Sequence, residues 1–568
     1  MATAVLLGYG LLIAILTVAA WYLSRYLYGL FEEARPRGYR LWGWLERFIY
    51  RLCGIDPDRS VPWWRYLQQL LLFNLILFIL AYALLRLQGH LPLDATHAPA
   101  MAPALAFNTA ASFVTNTNWQ AYAGETALSI GSQMWVITFL QVVAAATGVA
   151  MVLPLLRAFA GAELARLGNF YRDLVRVVLG LFLPLSFLLA IVWILQGVPS
   201  TLSASVVVHT LSGSLQTIAR GPVASLESIK MLGTNGGGFF NANAAHPFEN
   251  PTPLTNVESM MAMGLVPMAL VFALGRYLKN MRQSWVLYIV TVFALVAFGV
   301  AAYAAEAHGN TIVHHLLGLR GPNWEGKETR FGIGDSSFYA TFTTAFTTGS
   351  VNAMHDSLTP LGGLVPLYLM TVNSVFGAVG AGLMNIMMLL IVTVFIAGLM
   401  VGRTPEIWGK KIEAREIKLA SVAMLVHPLI VLVPTALALT NPNALASIAN
   451  PAFHGLSEIL YAFTSAAANN GSAFAGLNAN TTFFNLAVGI VMLLGRYVSA
   501  IAMLALAGSV AVKKRTPVTA GTLKTDTLAF GWTYVGVTVL VGALTFFPGM
   551  ALGPVAEQLA MLAGRLYG

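Results

Sequence analysis

Averaging hydrophobicity in windows of about 20 residues picks out ten apolar runs, near 4–23, 66–87, 132–156, 173–196, 257–275, 285–304, 363–402, 419–440, 482–511 and 527–550. Two of them are anomalous. The run 363–402 carries no charge and is about twice as long as one helix needs to cross ~30 Å of hydrocarbon. It must tilt, bend or break, and its middle, "FGAVGAG", clusters Gly377, Gly380 and Gly382 where a continuous helix is disfavoured. A break is expected there. The second anomaly is Arg496, inside the otherwise uncharged "TTFFNLAVGIVMLLGRYVSAIAMLALAGSV". A charge at bilayer depth costs on the order of 2.5–3.5 kcal/mol, so it faces protein or water, unless it snorkels to the interface.

The polar stretches between runs repeat. "ASFVTNTNWQAY" (111–122), "IKMLGTNGGGFFNA" (229–242), "TAFTTGSVNAM" (344–354) and "SAAANNGSAF" (465–474) each follow a short helix-compatible stretch and lie between two runs. Four occurrences of span, short helix, polar loop, span form an internal repeat. The expected division is an extra span and loop over 1–62, repeats over 63–160, 161–282, 283–412 (with the broken second span) and 413–515, and an extra span over 516–568.

Composition agrees with a polytopic membrane protein: of 568 residues 57% are hydrophobic and 10% charged, and mean hydropathy is +0.72. The first run is long enough to be a real span and lacks a cleavage pattern. The net charge of +9 does not form a nucleic-acid patch, because the basic residues fall in alternate loops: Arg25 to Arg65; Arg157, Arg166 and Arg172; Arg276, Lys279 and Arg282; Arg403 to Lys418; Lys513 to Lys524. The positive-inside rule makes those loops cytoplasmic and both termini extracytoplasmic. The single cysteine, Cys53, excludes an intrachain disulfide and reads as a free thiol.

A short helix that stops partway through a membrane ends in unpaired carbonyls, tolerable only where protein buries them or water lines them. Four such loops meeting on one axis turn those oxygens toward a cation, and the helix C-termini add partial negative charge. Gly236, Gly237, Gly238, Gly349 and Gly471 supply the required backbone freedom, and asparagine and threonine supply neutral oxygens. The loop centres hold no carboxylate, which favours a monovalent over a divalent cation. His246 and His355 lack partners at ligand spacing and read as structural hydrogen-bonding groups; His427 is isolated in its span.

The motifs "TNTNWQ" (115–120), "GTNGGGFFNANAAHPFENPTP" (233–253), "VNAMHDS" (351–357), "FIAGLMVGRTPE" (395–406) and "ANNGSAFAG" (468–476) resemble the potassium-binding, channel-like component of Kdp-type potassium-transporting ATPases. The resemblance covers essentially the whole chain. It implies an all-α polytopic membrane protein of about ten transmembrane helices, with four span–pore helix–filter loop–span repeats around one ion pore, in a bacterial plasma (inner) membrane. It implies filter residues Asn116, Thr117 and Asn118 with Gln120 beside them, Thr234, Asn235, Gly236 and Asn243, Thr348 and Gly349, and Asn469, Asn470 and Gly471, with potassium as substrate. Gly377, Gly380 and Gly382 correspond to a gating loop, Arg496 to a positive barrier beneath the pore, and Asn373 and Arg403 to a possible tunnel entrance. Asn373 stands where an acidic residue is expected, which weakens a carboxylate-marked tunnel.

The chain has no phosphate-binding loop, no DKTG-type phosphorylation motif and no hydrophilic stretch long enough for a nucleotide domain. The expected role is therefore a non-catalytic subunit, partnered by a P-type ATPase catalytic subunit and small accessory membrane subunits. The alternatives are a stand-alone passive or ion-coupled potassium channel or transporter, a secondary carrier and a membrane-embedded enzyme. The four like-oriented repeats argue against the carrier, and no catalytic constellation supports the enzyme.

Overall fold

The computed structural model describes residues 2–94, 96–400, 402, 404–517 and 522–565, so Arg403 lies outside the described residues. Among them, ten helices are long and apolar enough to cross a membrane: Val5–Glu32, Trp63–Arg86, Ile130–Ala160, Phe170–Leu195, Pro253–Leu278, Met281–Leu317, Ala381–Met400, Ala414–Leu439, Thr482–Ala511 and Leu528–Leu562. These spans match the ten apolar runs, with the caps lying further out in the polar flanks. Thr252 caps the fifth span through Thr255 N, and Thr481 caps the ninth through Phe484 N.

Burial sorts the spans. The third and fifth are 83% and 78% buried along their most apolar windows, whereas the first and tenth are 22% and 17% buried. A helix that is apolar all round and buried all round belongs at the centre of a bundle. The first span packs along the fifth, and the ninth along the eighth.

Four shorter helices sit between successive spans: Pro103–Val114, Val223–Leu232, Gly332–Ala345 and Ala452–Ala468. Nearly every residue in their C-terminal halves is buried. They enter between the spans and stop inside, as the sequence pattern predicts.

The break in the long apolar run is present. Pro360–Val372 ends at Asn373, and the helix resumes at Ala381–Met400. Gly377 and Gly380 adopt φ of +67° and +76° in the gap, a region most side chains avoid. Gly382 differs from expectation. It lies inside the resumed helix, where its hydrogen lets the Phe376 carbonyl and the Gly377 backbone pack against it.

Strand structure among the described residues is confined to two small hairpins, Ser205–His209 with Leu215–Ala219 and Glu406–Ile407 with Lys410–Lys411.

Candidate functional site

The four short helices end in the same way. The N–H groups of Thr117, Asn235, Thr348 and Asn470 donate to the carbonyls five residues back, on Ser112, Lys230, Thr343 and Ser465, at 2.9, 2.9, 2.7 and 2.9 Å. The residue before each, Asn116, Thr234, Thr347 or Asn469, is left-handed, with φ of +65°, +47°, +49° and +56°. This is the left-handed helix stop that satisfies terminal carbonyls. Two residues further on, Asn118, Gly236, Gly349 and Gly471 are left-handed again, at +58°, +89°, +92° and +98°. Alternating handedness turns successive peptide carbonyls toward one side, as a carbonyl-lined filter requires.

The loops close into a ring. A Cβ at Gly236 would overlap the Thr348 carbonyl oxygen, one at Gly349 the Asn470 carbonyl, and one at Gly471 the Thr117 carbonyl. The fourth contact joins the first and second loops, where a Cβ at Gly237 would lie 2.9 Å from Asn118 Cβ. Each loop thus rests on the next, in the order of the chain, three times backbone on backbone and once through the Asn118 side chain. All twelve residues implied for the filter lie in this ring or directly against it. Thr347 is a member that sequence reasoning missed, because a threonine beside "TG" gives no sign of left-handed backbone.

Gly237 and Gly238 differ from expectation as well. Neither has a positive φ; each is small because a neighbour needs the space, Asn118 and Phe113 at Gly237, and the Glu249 carboxylate, 2.7 Å from a Cβ, at Gly238.

The asparagine amides are largely scaffold. Asn116 Nδ2 donates to the Gly233 and Thr234 carbonyls, and Asn235 Nδ2 donates to Asn116 Oδ1 at 2.7 Å. Asn469 Nδ2 donates to Thr117 Oγ1, and Asn470 Nδ2 to the Thr343 carbonyl. Asn243 Nδ2 donates to the Gly236 carbonyl at 2.7 Å while its Oδ1 accepts from Ser350 Oγ and Val351 N, tying the second loop to the third. Gln120 holds Gly238 through both N–H and carbonyl, and Gln141, from the third span, donates to the Gly237 carbonyl at 2.8 Å. Some polar atoms are left over. Both amide atoms of Asn118, Asn235 Oδ1 and Thr348 Oγ1 are buried with no protein partner. Buried unpaired polar atoms are costly, and water or an ion in the ring would supply partners.

Charge lies behind the ring. Lys230, fully buried, contacts Glu227 at 2.9 Å and Glu249 at 2.6 Å, and Glu249 accepts the Phe240 N–H. This braces the glycine-rich loop, and its sign in sequence was a Glu and a Lys three apart in an apolar helix. His454, between Asp356 and Glu557 at 3.0 and 2.8 Å, braces the third and fourth loops. Both loop histidines are structural, as expected. His246 stacks on Phe240 and accepts the Phe248 N–H, and burial lowers its pKa. His355 is buried against Tyr461 at 2.9 Å, and burial, helped by Lys327, pushes it down to about 4.

Beneath the ring lies the broken span. Val379 N–H donates to Thr234 Oγ1, Thr347 Oγ1 donates to Asn373 Oδ1, and Asn373 Nδ2 donates to the Ala468 carbonyl. Asn373 therefore ties the break to the third and fourth loops, while Asn385 Nδ2 holds its carbonyl. A Cβ at Gly380 would overlap the Gly148 carbonyl of the third span. Arg496 is 4% exposed, which excludes the snorkelling alternative. Its Nη2 contacts the Ala144 carbonyl at 3.4 Å, and its Nη1 has no hydrogen-bond partner among the described residues. Asn373, Asn385, Asn469, His427 and Arg496 line one cavity, with about 90 Å³ open to the centre of a water molecule, enough for several waters.

A family model described as potassium-transporting ATPase A subunit matches residues 10–559. A relative from Alicyclobacillus acidocaldarius is 58% identical over 551 residues, covering 97% of this chain and 98% of its own. Relatives from Delftia acidovorans and Geobacillus kaustophilus are 51% and 50% identical, covering 98% and 97% of this chain and 99% of their own. All three bear the name potassium-transporting ATPase potassium-binding subunit.

Proposed function

This chain belongs to the potassium-transporting ATPase A subunit family, and from that premise we propose that it is the potassium-selective, channel-like subunit of an ATP-driven potassium uptake complex. Potassium enters from the extracytoplasmic side, loses its water to the carbonyls of the four loops, and reaches the space beneath the ring. Arg496 opposes straight escape to the cytoplasm, since an uncompensated charge in a low-dielectric site repels a cation strongly. The ion instead turns sideways toward an ATP-hydrolysing partner, with Asn373 at the start of that path. Small accessory membrane subunits complete the complex, in a bacterial inner membrane with both termini extracytoplasmic.

The observation that carries this reading is the ring: four helix stops of one geometry, each loop's left-handed residue against the backbone of the next. Backbone oxygens arranged this way suit a dehydrated monovalent cation. The names of the relatives favour a component of an ATPase over a stand-alone channel.

Gly236→Asp tests the ring, because it places a side chain into the Thr348 carbonyl and a charge among neutral oxygens. In the assembled complex, the potassium concentration for half-maximal ATP hydrolysis should rise by at least about 100-fold, as expected for a loss of roughly 3 kcal/mol, and discrimination against sodium and rubidium should narrow. Unchanged affinity and selectivity would remove the filter assignment. Potassium flux through this chain alone in liposomes, without partner or ATP, would restore the stand-alone reading.

A further inference from the structure

The loop between the first and second spans contains one regular element, the helix Tyr39–Cys53, bounded by left-handed Gly38 and Gly54. Its inward face carries Gly43, Glu46 and Tyr50. Glu46 pairs with Arg176 of the fourth span at 2.9 Å and accepts from Tyr50 at 2.7 Å. Trp42 lies against Gly180, where a Cβ would come within 3.2 Å of its ring. Arg176 and Gly180 lie six and ten residues into the fourth span, Phe170–Leu195. At about 1.5 Å per residue, these contacts set the helix roughly 9–15 Å along that span from its basic-loop end. The helix therefore packs against the basic-loop end of a spanning segment.

Its outward face is apolar and uncovered. Leu41, Trp44, Phe48 and Leu52 are 81%, 62%, 56% and 73% exposed. At about 100° per residue they occupy an arc of roughly 80°. Arg40, Arg47 and Arg51, all exposed, fall in an adjoining stripe about 40° wide. On the fourth span Leu183, Phe187 and Leu188 are exposed as well. A one-signed stripe beside an apolar arc, on a helix packed against the end of a span, is the pattern of a helix lying in the interface.

We propose that Tyr39–Cys53 is an interfacial anchor: Leu41, Trp44, Phe48 and Leu52 sit at the acyl–headgroup boundary, and Arg40, Arg47 and Arg51 hold the phosphates of anionic lipids. The leaflet is the one that faces the basic loops, and this rests on the orientation proposed above; the filter reading is independent of it. Because Glu46 fixes the helix to Arg176, lipid held here bears on the fourth span, whose far end leads into the second filter loop.

The test uses the assembled complex in nanodiscs. A nitroxide placed through Trp44→Cys, in a Cys53→Ser background, should collide with oxygen several-fold more often than with a water-soluble nickel chelate. Equal or greater access to nickel would place residue 44 in water, and exclusion of both would mean that a partner subunit covers the face; either result overturns the proposal. The headgroup claim is read from spin-labelled phosphatidylglycerol and phosphatidylcholine. Wild type should prefer phosphatidylglycerol by roughly fivefold or more, given the contribution of one surface arginine. The combined variant Arg40→Gln, Arg47→Gln, Arg51→Gln should approach parity while keeping its potassium-stimulated ATP hydrolysis in lipid of one fixed composition. An unchanged preference would overturn the phosphate contacts.

Discussion

The ring of loops and the layer beneath it follow opposite rules. In the ring, four segments that differ in sequence take one backbone path, down to the same hydrogen bond five residues back. Beneath it, two of the four repeats depart from the others: the third repeat's second span breaks at 373–380, and among the described residues the fourth repeat alone places an arginine under the ring. Selection by size and hydration needs equivalent oxygens around an axis, so symmetry suits it. Transport in one direction needs an ion to leave by a different route from the one it took in, and a symmetric floor offers no such choice. On the function proposed above, the ring serves selection and the floor serves direction.

Changes in the ring should have the largest and most uniform effects. Gly349→Ala and Gly471→Ala each force a Cβ into the next loop's carbonyl and into a left-handed conformation. Strain of roughly 1–2 kcal/mol from the backbone and 1–3 kcal/mol from overpacking predicts a fall in potassium affinity on the order of 100-fold. The two variants should agree within a few-fold in a titration of ATP hydrolysis against potassium. A large difference between them would break the equivalence of the loops.

The floor should respond differently. Arg496→Met should leave potassium affinity within a few-fold of wild type and raise uncoupled flux by roughly tenfold. That figure corresponds to a unit charge about 10 Å away at an effective dielectric of 20. The check is the ratio of rubidium uptake to ATP hydrolysed in proteoliposomes. If coupling stays tight, Arg496 is not a barrier, and the contrast between ring and floor loses its main support.

Much of this was legible in sequence, and the limits have physical causes. The spans, the break and the four polar loops all follow from hydrophobic length and glycine placement, because a membrane leaves the backbone few alternatives. The ring's glycines were legible at 236, 349 and 471 for the same reason. What composition did not convey was division of labour among polar residues. Asn116, Asn243 and Asn469 read as oxygen donors to an ion, yet their amides are spent mainly on bonds between loops, Asn243 through its Oδ1. Thr347 and Gln141 were missed because the partners that give them meaning lie far away in sequence. The Lys230–Glu227–Glu249 group was missed in part for that reason, since Glu249 lies 19 residues from Lys230.

Acid should reach the outer rim of the ring before its centre. The pKa of His355 is lowered to about 4 by burial, against about 6.5 when unfolded. The neutral form is favoured in the folded state, so its contribution is complete above pH 6.5 and is lost progressively as pH falls toward 4. The 2.5-unit difference corresponds to roughly 3 kcal/mol. Wild type should therefore lose thermal stability across that window more steeply than His355→Gln. Parallel profiles would show that the rim is insensitive to this histidine.

The smallest expected effect probes the one place where the ring is itself unequal. Asn118 occupies, at φ +58°, the position that the other loops give to glycine. Asparagine tolerates that conformation better than most side chains, so the backbone there needs little correction. Asn118→Gly should relieve slight strain and remove two buried, unpaired amide atoms, changes that partly cancel. Potassium affinity should shift by less than about threefold, consistent with a side chain worth roughly 0.5 kcal/mol on balance. A much larger loss, with sodium discrimination reduced, would mean that the Asn118 amide oxygen meets the ion directly. The ring would then be three backbone quarters and one side-chain quarter, and the asymmetry now confined to the floor would begin in the filter.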